Sequence, residues 1–128
     1  MKISLGPVNS LYPMPTVLVG ANVNGKPNYI TIAHVGIMDL QSVSLGMAKT
    51  HFTNAGIREN GTFSINFPSA EMVEITDYCG IVSGREVDKG GLFRNFYGEL
   101  ESAPMIEECP VNMECRLIKT VDFPKHDI

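Results

Sequence analysis

Residues 16–34 read TVLVGANVNGKPNYITIAH and predict a β-hairpin. The first arm, residues 16–23, is rich in β-branched residues, and Asn24-Gly25 follows it at once. That pair readily adopts the positive φ angles of a tight hairpin turn. The return arm, residues 28–34, alternates between two faces, as a strand does. One face carries Ile30 and Ile32, and the opposite face carries Tyr29, Thr31 and Ala33.

Three more segments alternate apolar with small or polar residues, which is typical of half-buried strands. They are residues 42–47, Thr62–Phe67 and 111–121. The last of them has the clearest pattern, because its apolar residues fall on one face except for Ile118. The residues on that face are Val111, Met113, Cys115, Leu117 and Val121.

Two short helices are predicted between the strands. The first is Thr53–Asn60, ended by Gly61, and the second covers residues 70–79. We expect Ser69 to cap the second helix at its start and Gly80 to take the left-handed position at its end. Strands spaced roughly ten to twenty residues apart, with few helices, are typical of a small antiparallel barrel.

The composition predicts one globular domain over residues 1–128. The chain has 10 Lys and Arg against 14 Asp and Glu, a formal net charge of −4, and 44% hydrophobic residues. Broad nucleic-acid binding needs clustered cations, which this sequence lacks. Apolar stretches such as residues 16–21 are far shorter than the ~20 residues of a membrane span. Its opening residues do not read as a secretory signal, and the 3 cysteines favour reduced thiols, so we expect a soluble cytoplasmic protein.

Several familiar cofactor and catalytic motifs are absent. No G-x-G-x-x-G follows a strand, which leaves a Rossmann nicotinamide site unsupported, and no serine lies in a nucleophile elbow. Cys109, Cys115 and His126 match no zinc-ligand spacing. We interpret Cys115 as a buried hydrophobe because it lies on the apolar face of its strand. His34 and Cys79 are likewise interpreted as structural residues.

Two segments are rich enough in polar and charged residues to be candidate ligand-binding segments. Residues 80–96 show no clear period and are rich in glycine and charge, so we predict a long binding loop, with a mobile surface excursion as the alternative. Residues 47–54, MAKTHFTN, join a strand end to a helix start. Free backbone N–H groups, two hydroxyls, Lys49 and His51 would meet there. Such a helix start with a capping Thr53 favours an anion such as phosphate, although most capping threonines serve the helix alone.

Five short motifs occur in an order that resembles the flavin reductase-like family, and more closely the flavoredoxin branch of FMN-binding split barrels. The resemblance runs from about Pro13 to His126. The motifs are Pro13-x-Pro15-Thr16-Val17-Leu18-Val19, Pro27-Asn28-Tyr29-Ile30-Thr31-Ile32-Ala33, His51-Phe52-Thr53, Asn60-Gly61-Thr62-Phe63-Ser64-Ile65-Asn66 and Cys79-Gly80-x-x-Ser83-Gly84-x-x-x-Asp88-Lys89.

This resemblance implies a mainly β, Greek-key-like split barrel that forms a homodimer with FMN near the subunit interface. It implies that the strand of residues 28–33 lies along the isoalloxazine ring, and that residues 47–53 carry the ribityl chain and phosphate. Residues of the long loop would lie beside the ring. The implied cofactor contacts are Asn28, Tyr29, Thr31, Ala33, Met47, Ala48, Lys49, His51, Thr53, Gly80, Ser83 and Lys89.

The sequence departs from the family pattern in three places. His51 stands where family members commonly have arginine, so phosphate binding would depend more on Lys49 and on pH. Asp39-Leu40-Gln41 replaces an acidic residue followed by two prolines. The chain also stops at Ile128, where members usually continue, so we expect it to be truncated relative to the family.

Three functional classes remain open at this stage. The first is an FMN redox protein, either an electron carrier or a reductase that takes hydride from NAD(P)H. The second is a flavin-binding module without catalysis, and the third is a β-barrel subunit without a cofactor. The electron donor and acceptor are not identified by the sequence, and no nucleic-acid or membrane partner is expected.

Overall fold

The computed structural model describes residues 1–128, apart from the side chains of residues 126 and 127. The helices are α1 (Thr53–Asn60) and α2 (Val73–Ile81), with 3₁₀ turns at Ala70–Met72 and Lys89–Leu92. The strands are β1 (Val17–Val23), β2 (Lys26–Ile32), β3 (Val35–Asp39), β4 (Ser42–Leu45), β5 (Met47–Ala48), β6 (Thr62–Phe67), β7 (Asn95–Phe96), β8 (Met105–Ile106), β9 (Val111–Arg116) and β10 (His126–Asp127).

A four-stranded antiparallel sheet in the order β2-β1-β6-β9 forms the centre of the fold. The predicted hairpin between β1 and β2 is confirmed. Its turn has φ angles of 52° at Asn24 and 78° at Gly25, and Val23 pairs with Lys26. In this sheet β1 pairs with both β2 and β6, whereas β2 pairs with β1 alone, so β2 is an edge strand.

Each face of the central sheet covers a separate apolar cluster. The predicted alternation of β2 decides which residue enters which cluster, since successive side chains point to opposite faces. On the α1 side the core contains Val17, Val19, Ala21, Ile30, Ile32, Leu45, Met47, Ile57, Phe63 and Ile65. On the α2 side it contains Leu18, Tyr29, Cys79, Phe93, Ile106 and Cys109.

The remaining strands form three separate pairs, β3 with β4, β5 with β10, and β7 with β8. The fold is therefore mainly β with two helices, as expected, and the described strands do not pair into a closed barrel. Among the described residues, no helix is both long and apolar enough to cross a membrane.

The prediction for Gly80 as a left-handed helix end is wrong. Helix α2 continues through Gly80 to Ile81 and ends at an extended Val82. Gly80 instead lies against β2, where an added Cβ would be 3.2 Å from the Cβ of Thr31. Its missing side chain permits close packing of helix on strand. Ser69 precedes a 3₁₀ turn and makes no capping hydrogen bond with its side chain.

The first helix follows the prediction at both ends, since α1 covers Thr53–Asn60 and Gly61 closes it with φ 67°. The predicted cap is wrong, however. Phe52 occupies the N-cap position, no side chain caps the helix, and Thr53 is the first helical residue.

The strand predictions need several corrections. Residues 42–47 divide into β4 and β5, and the short strands β3, β7, β8 and β10 were not predicted. The late strand ends at Arg116 rather than at residue 121, because its partner β6 begins at Thr62, which pairs with Arg116. Its first apolar residue, Val111, is exposed, whereas Cys115 packs on the core as predicted. Residues 80–96 also contain regular structure, namely the end of α2, a 3₁₀ turn and β7.

Candidate functional site

The candidate site lies along the free edge of β2. An edge strand leaves alternate backbone N–H and C=O groups without a strand partner, so they are available to a ligand. The segment that leads into α1 and the loop after α2 both reach this edge at the side chain of Asn28. Three separate parts of the sequence therefore converge on β2.

Asn28 marks the point of convergence. Its Nδ2 donates a 2.8 Å hydrogen bond to the Oγ1 of Thr53 at the start of α1. Gly84 also lies against this side chain, since an added Cβ there would overlap the Asn28 amide. Both Asn28 and Thr53 are buried. The predicted ring segment, phosphate segment and loop thus meet at one side chain.

A cavity of about 380 Å³ opens beside this contact. Its volume lies within the roughly 300–1,000 Å³ range of small-molecule sites. The wall includes Asn28, Phe52, Gly84, Arg85 and Lys89. Polar and charged groups of both signs line it, as a site for a polar ligand requires.

Thr31 joins β2 to α2. Its Oγ1 donates to the backbone carbonyl of Thr76, and Gly80 packs against its side chain. The hydroxyl of Thr76 is buried and has no hydrogen-bond partner within the described part of the chain. A buried hydroxyl without a partner is costly, so this position lowers the stability of the contact between α2 and β2.

Two predicted contacts on β2 have very different environments. Tyr29 is completely buried on the α2 side, where its OH donates a 2.6 Å hydrogen bond to the Oδ1 of Asn95 and its ring meets Phe93 edge-on. Burial raises the pKa of this phenol well above its usual value, with Tyr97 adding to the shift. Ala33 follows the end of β2 and is exposed. Ala33 is therefore accessible to a ligand, whereas the Tyr29 side chain serves the core.

The predicted phosphate segment runs from β5 into α1. Met47 is buried, Ala48 and His51 are half-buried, and Lys49 is exposed. The N–H of His51 donates to the carbonyl of Ala48 at 3.0 Å, which folds the segment into a turn. Lys49 forms an ion pair with Asp122. Its positive charge is therefore partly neutralised by a carboxylate on the surface.

Lys89 is buried to 2% exposure, and its Nζ donates a 3.0 Å hydrogen bond to the carbonyl of Cys79. Burial lowers the pKa of the Lys89 ammonium, an effect opposed by the Cys79 thiolate. Burial likewise raises the pKa of the Cys79 thiol, opposed by Lys89. The ammonium lies near the end of α2, where a cation interacts favourably with the helix dipole. Ser83, half-buried, accepts from the N–H of Arg85 at 3.2 Å.

A larger cavity, about 980 Å³, lies elsewhere, over the α1 side of the core. Its wall is mainly apolar and includes Leu45, Phe63 and Leu117, and among the predicted site residues it contains Met47 alone. We place the site at the smaller cavity, because the predicted residues Asn28 and Lys89 line it and Thr53 bonds directly to Asn28.

The structure adds residues that the sequence reasoning missed. Arg85 and Phe52 line the smaller cavity, and Thr76 and Asn95 hold β2 through hydrogen bonds. Arg85 and Phe52 lie within two of the family motifs, so they could have been selected as site residues from the sequence. Thr76 and Asn95 lie outside these motifs, and their roles depend on contacts with residues distant in sequence.

No cluster of ligating side chains suitable for a metal ion occurs among the described residues. Cys109 is buried, and Cys115 packs on the opposite apolar cluster. The side chain of His126, considered with them as a metal ligand, lies outside the described residues.

Comparison with known proteins shows strong similarity to flavin proteins. Residues 9–128 match the family described as flavin reductase like domain. The flavoredoxin from Methanosarcina acetivorans is 48% identical with a TM-score of 0.93, and the match covers 99% of this chain and 69% of that chain. The flavoredoxin of Desulfovibrio vulgaris (Miyazaki F) is 34% identical with a TM-score of 0.89, covering 99% and 72%. An uncharacterised protein of Archaeoglobus fulgidus is 31% identical over 122 residues, which are 92% of this chain and 68% of that protein.

Proposed function

Since the chain belongs to the flavin reductase-like domain family of flavin-binding redox proteins, we propose that it holds FMN non-covalently along the edge of β2 and passes electrons through it. The convergence at Asn28 carries this proposal. Its amide contacts both the start of α1 and the loop after α2, and those are the segments that the family resemblance assigns to the cofactor.

The donor set fits a flavin mononucleotide. The ring of FMN presents carbonyl and nitrogen acceptors along one edge, and β2 offers edge backbone groups together with Asn28 and Thr31. The phosphate is an anion, and the turn before α1 offers Lys49, His51 and the positive end of a helix dipole.

Bound FMN would supply the redox chemistry, which amino-acid side chains do not provide. The protein's part is to hold and orient the ring. Asn28 is held by Thr53, so the orientation of its amide is fixed. Gly80 allows α2 to approach Thr31 closely, which fixes the helix beside that edge. Lys89 places a positive charge beside the same loop, and a cation near the ring favours the anionic reduced form.

We further propose the split-barrel architecture and the homodimer of the family. The apolar side chains of Ile37, Met38 and Leu40 are exposed on and beside the β3–β4 hairpin, which supports an interface with a second copy. Light scattering after size-exclusion chromatography tests this, with twice the chain mass expected. A monomer that retains FMN would contradict the dimer and leave the cofactor proposal standing.

The visible spectrum of the purified protein tests the central proposal. We expect flavin absorption bands in the protein as purified or after addition of FMN, together with a change in fluorescence of the added FMN. Protein that stays colourless and leaves FMN fluorescence unchanged would refute the proposal. Such a result would favour a β-barrel subunit without a cofactor.

An NAD(P)H oxidation assay then separates an electron carrier from a reductase. The carrier that we propose is expected to show negligible turnover with either nucleotide, while its bound FMN is still reduced by a chemical reductant. Sustained NADH or NADPH oxidation would identify a reductase instead. FMN that binds but passes electrons to no tested acceptor would identify a binding module.

A further inference from the structure

Arg85 connects the two segments that form the candidate site. Its Nη1 donates a 3.2 Å hydrogen bond to the carbonyl of Thr50, and its guanidinium carbon lies 5.1 Å from the centre of the Phe52 ring. Both contacts lie in the segment that leads into α1. A stacked guanidinium with a carbonyl acceptor has a defined orientation, although the side chain is exposed.

The loop conformation directs Arg85 toward this segment. The Arg85 N–H donates to the Ser83 hydroxyl, and the N–H groups of Glu86 and Val87 both donate to the Ser83 carbonyl at 3.0 Å. Gly84, between these residues, packs against the Asn28 amide. The loop therefore turns at Ser83 and presents Arg85 over Phe52.

Of the three cations near the candidate site, Lys49, Arg85 and Lys89, Arg85 has the charge that is least neutralised by its neighbours. Lys49 is paired with Asp122, and the Lys89 ammonium is buried on the Cys79 carbonyl. Among the described residues Arg85 forms no ion pair with a carboxylate, and its side chain uses a single N–H donor, toward Thr50. A guanidinium has five N–H donors, so most remain for an anion.

We propose that Arg85 selects the phosphorylated flavin, with its guanidinium bound to the terminal phosphate of FMN at the turn before α1. This inference rests on the proposed function. It assigns a phosphate contact to the loop after α2, in addition to the segment of residues 47–53. A chain of net charge −4 can bind an anion only where its few cations are concentrated. The contacts with Thr50 and Phe52 hold the Arg85 guanidinium at the turn before α1.

Paired titrations with FMN and riboflavin test this role, because the two ligands differ by the phosphate alone. In Arg85→Met we expect FMN to bind about tenfold more weakly or worse, as for loss of a charge-assisted hydrogen bond, with riboflavin affinity unchanged within about twofold. Arg85→Lys keeps the charge without the fork, so its FMN affinity should lie between those of the other two proteins. Arg94→Met, which removes an exposed arginine elsewhere, is the matched control and should bind both ligands as the parent does.

The outcomes separate this inference from the proposed function. If Arg85→Met, folded by circular dichroism, binds FMN as tightly as the parent, or loses FMN and riboflavin equally, Arg85 does not contact the phosphate. A parent protein that binds neither flavin refutes the flavin site itself, and Arg85 with it. Because salt screens an exposed ionic contact, the difference between parent and Arg85→Met should also shrink at high ionic strength.

Discussion

The amide of Asn28 donates a 2.8 Å hydrogen bond to the hydroxyl of Thr53, and this buried contact joins the edge of β2 to the first residue of α1. The two residues are far apart in sequence and come from a strand and a helix. Their contact determines where the predicted ring segment lies relative to the predicted phosphate segment.

Removal of the Asn28 amide should affect both stability and cofactor binding. Asn28→Ala leaves the Thr53 hydroxyl buried without its partner, so we expect a loss of about 1–3 kcal/mol in the free energy of unfolding. FMN should bind more weakly because the proposed contact of the amide with the cofactor is lost. Urea denaturation and FMN titration measure the two effects.

A double-mutant cycle with Thr53→Val isolates the hydrogen bond. We expect a coupling energy of about 1 kcal/mol between the two sites. Additive effects, with zero coupling, would show that the contact is not formed in solution.

Gly84→Ala should weaken both FMN binding and stability. An added Cβ would overlap the Asn28 amide, so either the amide or the loop must move. Because that buried amide also bonds to Thr53, the free energy of unfolding should fall by up to about 1–3 kcal/mol. Glu86→Ala, an exposed change in the same loop, serves as the control and should not weaken binding. Unchanged FMN affinity in Gly84→Ala would show that the site does not depend on this contact.

Tyr29→Phe should lower stability and leave FMN affinity unchanged. The Tyr29 hydroxyl is the donor to Asn95 in the α2-side core, so its removal should cost about 1–2 kcal/mol. Tyr97→Phe is the matched control, because the Tyr97 hydroxyl bonds to Asn22 at an exposed position and should contribute less. A marked loss of FMN affinity in Tyr29→Phe would instead support the cofactor contact that the family resemblance implies.

Stability should fall in mild alkali because of the buried thiol of Cys109. Burial, with a smaller contribution from Glu108, raises the pKa of Cys109 from 9.0 to about 11. Between these values the folded chain keeps a proton that the unfolded chain has lost. The contribution is thus complete below pH 9 and is lost as the pH rises toward 11.

Urea midpoints of the parent and Cys109→Ala from pH 8 to 11 measure this effect. The parent should lose roughly 2–3 kcal/mol more than the variant over that range. Equal slopes in the two proteins would show that this thiol titrates normally in the fold.

Local sequence chemistry was sufficient for some elements of the fold. Asn24-Gly25 specified its hairpin turn, and Gly61 ended α1, because positive φ angles depend on the residue itself. The alternation of Tyr29 with Ile30 assigned these side chains to opposite faces before any partner was known. The family motifs identified the segments of the candidate site for the same reason, since they are short local patterns.

Contacts between distant residues decided the rest. Glycine is typical of the residue that ends a helix, yet Gly80 lies within α2, where its lack of a side chain allows the helix to pack closely on Thr31. Lys89 has the charge of a surface residue, yet it is buried on the Cys79 carbonyl. The sequence determined which segments could form a flavin site. Only the tertiary structure decided that Asn28, Thr53 and Arg85 meet at one edge of the sheet, because a hydrogen bond or a stacked cation requires two groups that chain folding brings together.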